Sequence, residues 1–187
     1  NTTLNASLVT DNRKAGMYVY GQSRMRDPYD HDGDGFMEIP VLRSQTIGTQ
    51  AYVKTGLYSK LTLDYHVTNE YRRGGDNLDM PPHQVQIAET TDHLINSGGL
   101  TFEGTSRNSK HRYSAYTSAQ STKRESYYGA DYNPHAYGKT DGFTAVVGGQ
   151  YLYRIRFFEL TTGLEYNYDY LYDNPLGYVT LGYTSMR

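Results

Sequence analysis

Hydrophobic and polar side chains alternate along most of this chain. Between residues 60 and 71, Leu61, Leu63, Tyr65, Val67 and Tyr71 fall on one parity, and Lys60, Thr62, Asp64, His66, Thr68 and Glu70 on the other. Successive side chains of a strand point to opposite faces, so a period of two over this length predicts a half-buried β-strand. Residues 143–157 repeat the pattern, with Phe143, Ala145, Val147, Tyr151, Tyr153, Ile155 and Phe157 against Thr144, Gln150, Arg154 and Arg156. So do residues 159–172, with Leu160, Leu164, Tyr166, Tyr168, Tyr170 and Tyr172 against Glu159, Thr161, Glu165, Asn167 and Asp169. Weaker runs near 3–10, 14–24, 45–55, 90–103, 109–123 and 177–184 bring the expectation to about nine strands. No segment carries the period of an amphipathic helix.

The connections between these runs alternate in length. Short turns are expected at 11–13, 55–57, 104–108 and 158–159, and long loops at 25–44, 72–88 and 124–139. In an antiparallel up-and-down sheet alternate links emerge at the same end, so the long loops gather at one end and the short turns at the other. Transmembrane β-barrels are built this way, with short periplasmic turns and long extracellular loops. A Greek-key sandwich would break the alternation, whereas a soluble up-and-down sheet with one decorated edge would keep it. Several runs also exceed the ~5–6 residues usual for strands in soluble sheets. The expected fold is therefore all-β: one antiparallel up-and-down meander of about nine long strands, a segment of a transmembrane β-barrel, spanning residues 1–187 as one unit.

Composition points the same way. The 187 residues include 21 Tyr and 19 Gly but no Trp and no Cys, and the mean hydropathy is -0.73. Tyr suits surfaces that are apolar on one side and wet on the other. Its clusters at Tyr18 and Tyr20, Tyr127 and Tyr128, and Tyr166 through Tyr172 fit interfacial aromatic girdles. No run of about 18 apolar residues exists, which excludes a transmembrane helix but not transmembrane strands. The net charge of -2 and the lack of a basic stripe argue against a nucleic-acid partner.

The sharpest chemical motif is Asp30-His31-Asp32-Gly33-Asp34-Gly35-Phe36-Met37-Glu38. Carboxylates at alternate positions converge on one centre, and Gly35 permits a tight turn. Hard oxygen ligands of this kind suit Ca²⁺. The expected ligands are Asp30, Asp32, Asp34, the Phe36 carbonyl and Glu38, with Asp27 a further candidate; the alternative is an acidic glycine-rich turn that binds no metal. Val41 stands where an EF-hand places its bidentate Glu, and no helices flank the loop, so the motif is EF-like rather than an EF-hand. In the second loop Arg72, Arg73, Asp76 and Asn77 are candidate ligand contacts, or else pair among themselves. In the third, Tyr127, Tyr128 and Tyr132 could stack on a planar or sugar-like ligand, or pack loop against loop. No catalytic constellation is present: there is no Cys, no nucleophile-elbow Ser, and the six His (31, 66, 83, 93, 111, 135) are scattered. An enzyme is not expected.

Several of these stretches resemble a family. Gly21-Gln22-Ser23-Arg24-Met25-Arg26-Asp27-Pro28-Tyr29-Asp30 with the Asp-Gly-Asp-Gly-Phe-Met-Glu-Ile-Pro segment is similar to the barrel region of TonB-dependent outer-membrane receptors of the cobalamin or haem receptor-like group. So are Glu70 through Asn77, Pro81-Pro82-His83, Ser126 through Gly129 and Ala136 through Thr140, and the likeness covers roughly residues 14–172. It implies an outer-membrane location with extracellular loops and a large barrel plugged by an N-terminal domain. It implies active uptake of a scarce, large solute such as cobalamin or haem, with calcium ordering the loops. The implied partners are the TonB system through the plug, the solute, membrane lipid and a surface lipoprotein. The chain itself shows no plug and too few strands to close such a barrel, so it is expected to act as a barrel segment. Two other readings stay open: a structural or adhesive barrel binding surface polymers, and a soluble calcium-binding β-module.

Overall fold

The computed structural model describes residues 1–174 and the backbone of 179–186. Nine strands form a single sheet in the order of the chain: β1 (Thr2–Val9), β2 (Ala15–Arg26), β3 (Phe36–Lys54), β4 (Ser59–Asp76), β5 (Ile87–Thr105), β6 (His111–Ala130), β7 (Tyr137–Ile155), β8 (Phe158–Asn174) and β9 (Val179–Met186). Every neighbouring pair is antiparallel. The all-β up-and-down meander expected from the alternating pattern is therefore the fold. No α-helix occurs among the described residues; the one helical element is a 3₁₀ turn, Pro82–Gln84.

The links alternate as expected, with 10–14, 55–58, 106–110 and 156–157 at one end and 27–35, 77–86 and 131–136 at the other. The link 175–178 lies outside the described residues. The long links are shorter than the sequence suggested, because the strands run on into them. β3 starts at Phe36 and β4 ends at Asp76, so most of 25–44 and part of 72–88 is paired sheet. Likewise β6 reaches Ala130 and β7 starts at Tyr137, leaving only 131–136 of the expected 124–139 loop. Charged and glycine-rich sequence there hid the period of two, yet the ladder supplied backbone partners that such residues accept. The register shifts twice, between Asp169 and Leu171 in the β8–β9 pair and between Met37 and Val41, where Pro40 sits. Proline cannot donate to a ladder and is tolerated at such a break.

The register sorts the side chains into two unlike faces. Directly opposed residues share a face, so Val53, Ala51 and Ile47 of β3 lie with Leu61, Leu63 and Val67 of β4 and with Phe102, Leu100 and Asn96 of β5. The same face continues through Ala115 and Ala119 to Tyr151, Val147, Ala145 and Phe143, and then to Leu164, Tyr166, Tyr168 and Tyr170. The other face carries Thr62, Asp64, His66, Thr68, Glu70, Thr101, Gln120, Thr144, Glu165 and Asp169. Nothing among the described residues packs over the middle of the apolar face: Ile47 is 63% exposed, Val147 53% and Leu63 48%. Apart from Gly48 and Gly104, which lie under tyrosine rings, the buried residues lie at the loop end, where Val85, Ala88 and Tyr127 form a small cluster with Ala136 against it.

The glycines have a specific use in this wall. Tyr20 stands opposite Gly48, Tyr52 opposite Gly16 and Tyr116 opposite Gly148, all on the polar face. In each pair a Cβ built on the glycine would run into the tyrosine ring. The missing side chain lets the ring lie flat across its neighbour, which fills the gap a strand glycine otherwise leaves. Tyr116 also donates its hydroxyl to Glu165, 2.6 Å away, one strand further on.

Candidate functional site at the loop end

The acidic motif closes the β2–β3 hairpin. Tyr29 and Ile39 exchange backbone hydrogen bonds of 3.1 Å in both directions, pinching off residues 30–38 as a tip. Asp30 organises that tip: its Oδ1 accepts from the Gly33 amide at 2.7 Å and its Oδ2 from the Gly35 amide at 2.9 Å. Gly33 and Gly35 adopt φ of 77° and 90°, a region open to glycine and costly for most other residues. The Phe36 amide donates to Asp34 Oδ1 and the His31 amide to Glu38 Oε2, both at 2.8 Å. Asp30, Asp32, Asp34 and Glu38 each bring a carboxylate oxygen within 4.8 Å of the others. Asp27 is outside this group, and Phe36 serves as the first residue of β3. The Gly35 amide, backed by the Gly33 amide against partial desolvation, holds the Asp30 carboxyl below the usual carboxylate range. The arrangement keeps four negative charges close together, which suits a hard divalent cation in kind.

The remaining predicted residues divide between the two faces of the sheet. Arg73, Asp76, Asn77 and Tyr132 line a cavity of about 1210 Å³ together with Asp34, Arg43, Tyr71 and Asp79. This cavity opens on the same face as the apolar band, because Arg43, Tyr71 and Arg73 share the parity of Ile47, Val67 and Leu63. Its roof is the β4–β5 link, which folds back over that face so that the His83 ring meets the Tyr137 hydroxyl at 2.8 Å. Arg73 is buried there, with Nη1 donating to Thr90 Oγ1 at 3.1 Å and Nη2 to the Met80 carbonyl at 3.3 Å.

Arg72 and Tyr128 point the other way. They line a shallow depression on the polar face with Glu70, Glu89, Thr91 and His93. Arg72 does not stand free for a ligand: Glu70 holds it at 2.8 Å. Beside this depression Phe36, Pro40, Ile87, Tyr128 and Ala130 form an apolar patch. Tyr127 lies in the core, the packing arrangement that the sequence left open beside ligand stacking. It is 1% exposed, donates its hydroxyl to the Asn133 carbonyl at 2.9 Å, and packs edge-on against Tyr137 with ring centroids 4.8 Å apart. Adjacent residues of one strand face opposite ways, so Tyr127 and Tyr128 could not both serve one ligand. The sequence reading missed Arg43, Tyr71, Asp79, Glu89 and His93. Extending the parity of the 60–71 run to Arg73 would have grouped Tyr71 with it; Arg43 was out of reach because its strand had been read as loop.

No protein-family model matches the chain, no curated protein matches it, and no solved structure matches it. The likeness to receptor barrels rests on the stretches quoted above alone.

Proposed function

We propose that this sheet is part of the wall of an outer-membrane β-barrel. Its apolar face would lie against lipid, its polar face towards the lumen, and its 27–35, 77–86 and 131–136 tips outside the cell. The observation that carries this reading is the uncovered apolar band. Measured from Leu94 to Phe102 on β5, with Asn96 and Gly98 between them on the same face, the band runs about 27 Å along the strand at ~3.4 Å per residue. Strands tilted by ~40° would reduce that to ~21 Å of height, close to the ~25 Å apolar band of outer-membrane barrels. A water-soluble sheet would have to cover so large an apolar surface. The soluble calcium-module reading needs a second sheet over the tyrosine-rich face, and the described residues form one sheet.

Within this reading, the parent protein would be an active-transport receptor for a large scarce solute, corrinoid or haem-like, with Ca²⁺ held by Asp30, Asp32, Asp34 and Glu38. The resemblance of the quoted stretches supports the receptor class, and the gathering of acidic tip and cavities at one end supports a ligand-facing pole. A structural or adhesive barrel would share the wall and differ only in what the tips bind.

The chain lacks cysteine, so single-cysteine probes report cleanly. Leu63→Cys and His66→Cys, each carrying a fluorophore, are refolded into vesicles containing a lipid-chain quencher. Quenching at position 63 and little at 66 is expected. Equal quenching at the two positions, or none at 63, would refute the lipid-facing wall.

A further inference from the structure

The net charge of -2 hides two poles. The short links and their flanks, residues 10–14, 54–60, 103–112 and 154–159, carry nine Lys or Arg against three Asp or Glu. The loop-end stretches 24–43, 70–92 and 123–141 carry eight against thirteen. At the basic pole the register sets three lysines in one row. Lys54 of β3 directly opposes Lys60 of β4. Lys14 precedes β2, and its carbonyl accepts from the Lys54 amide at 2.7 Å, one row beyond the Ala15–Val53 pair. Directly opposed residues share a face, and this is the polar one, since Lys60 alternates with Thr62 and Asp64. Neighbouring strands lie ~4.8 Å apart, and like charges directly opposite repel. Among the described residues Lys60 is held by Glu103 at 3.1 Å, while Lys14 and Lys54 have no carboxylate partner.

The row borders a depression of about 540 Å³, lined by Lys54 and Lys60, by Arg112, and by the apolar Leu57 and Tyr58. Arg112 also has no carboxylate partner among the described residues. Leu57 is 93% exposed and Tyr58 52%. An exposed lysine needs no partner of its own, yet the ladder gains nothing from three of them side by side. Their arrangement points to what meets them. The lysines are strung over ~10 Å across three strands rather than gathered round one point, which fits a chain of negative charges better than a single phosphate. The apolar residues beside them fit a hydrophobic side chain, which a phosphate polymer lacks.

We infer that the turn end of the polar face docks an acidic peptide segment carrying an apolar side chain, its carboxylates on Lys14, Lys54 and Arg112 and its apolar group against Leu57 and Tyr58. The site uses only the polar face, so it stands or falls apart from what covers the apolar band. Within the proposed barrel it would meet a partner on the periplasmic side, opposite the acidic tip at 30–38.

The test refolds the full chain in non-ionic micelles and titrates it into fluorescein-labelled peptides, read by fluorescence polarisation. The probes are a glutamate-rich peptide with one leucine, the all-glutamate peptide, and the leucine peptide with lysine in place of glutamate. The glutamate–leucine peptide should bind best, the lysine peptide should not bind, and added salt should weaken the complex. Lys14→Gln with Lys54→Gln should weaken binding about tenfold, the size expected of two exposed ion pairs. Lys14 lies outside the strands and is exposed, so Lys14→Gln alone keeps the fold and should weaken binding about threefold. Lys123→Gln with Lys139→Gln, at the other end, should change nothing. Leu57→Ser should remove the advantage of the leucine peptide over the all-glutamate one. No binding of the glutamate–leucine peptide, or binding indifferent to Lys14→Gln and to the double variant, overturns the site. A leucine advantage that survives Leu57→Ser overturns the apolar contact. Tighter binding of inorganic polyphosphate or a single-stranded oligonucleotide than of the peptide overturns the peptide in favour of a phosphate polymer.

Discussion

Replacing Leu63 by arginine separates a lipid-facing wall from a sheet bathed in water. Leu63 lies within the aliphatic run of β4 and is flanked across the ladder by Ala51 and Leu100. Along β4 the nearest polar residues on that face are Ser59, four residues away at the turn end, and Asn69, six residues away at the loop end. Those separations are ~14 Å and ~20 Å along the strand, so the new guanidinium starts well inside the band from either end. On the lipid side of a barrel an arginine near the midplane costs ~2–4 kcal/mol, falling to ~0–1 near the interface. The expected loss for Leu63→Arg is therefore a factor of roughly 30 to 700 in the folding equilibrium. Asn69→Arg should cost little, and Thr62→Arg on the polar face should stay within ~0.5 kcal/mol. If the face met water instead, Leu63→Arg would be as mild as Thr62→Arg, because Leu63 is already 48% exposed. Denaturant titration of the vesicle-refolded chain, followed by circular dichroism and tyrosine fluorescence, reads the difference from the midpoint. A Leu63→Arg midpoint within error of Thr62→Arg would refute the reasoning.

Two further predictions concern the tips. Titration calorimetry of the chain with Ca²⁺ should show binding that Asp32→Ala abolishes; no heat with the unaltered chain sinks the calcium site. Because the folded Asp30 carboxyl sits below its usual value of 3.8, its ordering of the tip is fully present above that pH. The ordering should be lost only as the pH falls further, through the lowered folded value; amide exchange at Gly33 and Gly35 would follow it, and loss of protection already at neutral pH would contradict the role given to Asp30. Tyr127→Ala removes the largest enclosed side chain and its bond to Asn133. It should cost ~3–5 kcal/mol and expose the 131–136 tip to proteolysis, whereas Tyr128→Ala should do neither.

What the sequence determined by itself was the local rule. Alternation at 60–71, 143–157 and 159–172 specified strands, and a one-residue slip would move every Leu and Tyr to the wrong face, so pattern and register are tied. The alternation of short and long links specified an up-and-down order, because each hairpin returns the chain to the end it came from. The Asp30–Glu38 motif was also legible, since its carboxylates converge through turns only a few residues long. What only the tertiary structure decided was long-range. Strands continued through Arg72, Arg73 and Gly74 because neighbouring strands were there to pair with, and no local propensity announces a partner. The fold-back of the 77–86 link over one face buried Tyr127, enclosed Arg73 and made the cavity, while parity alone sent Arg72 and Tyr128 to the other side. Residues adjacent in the sequence and read as one ligand surface are thus separated by the thickness of the sheet.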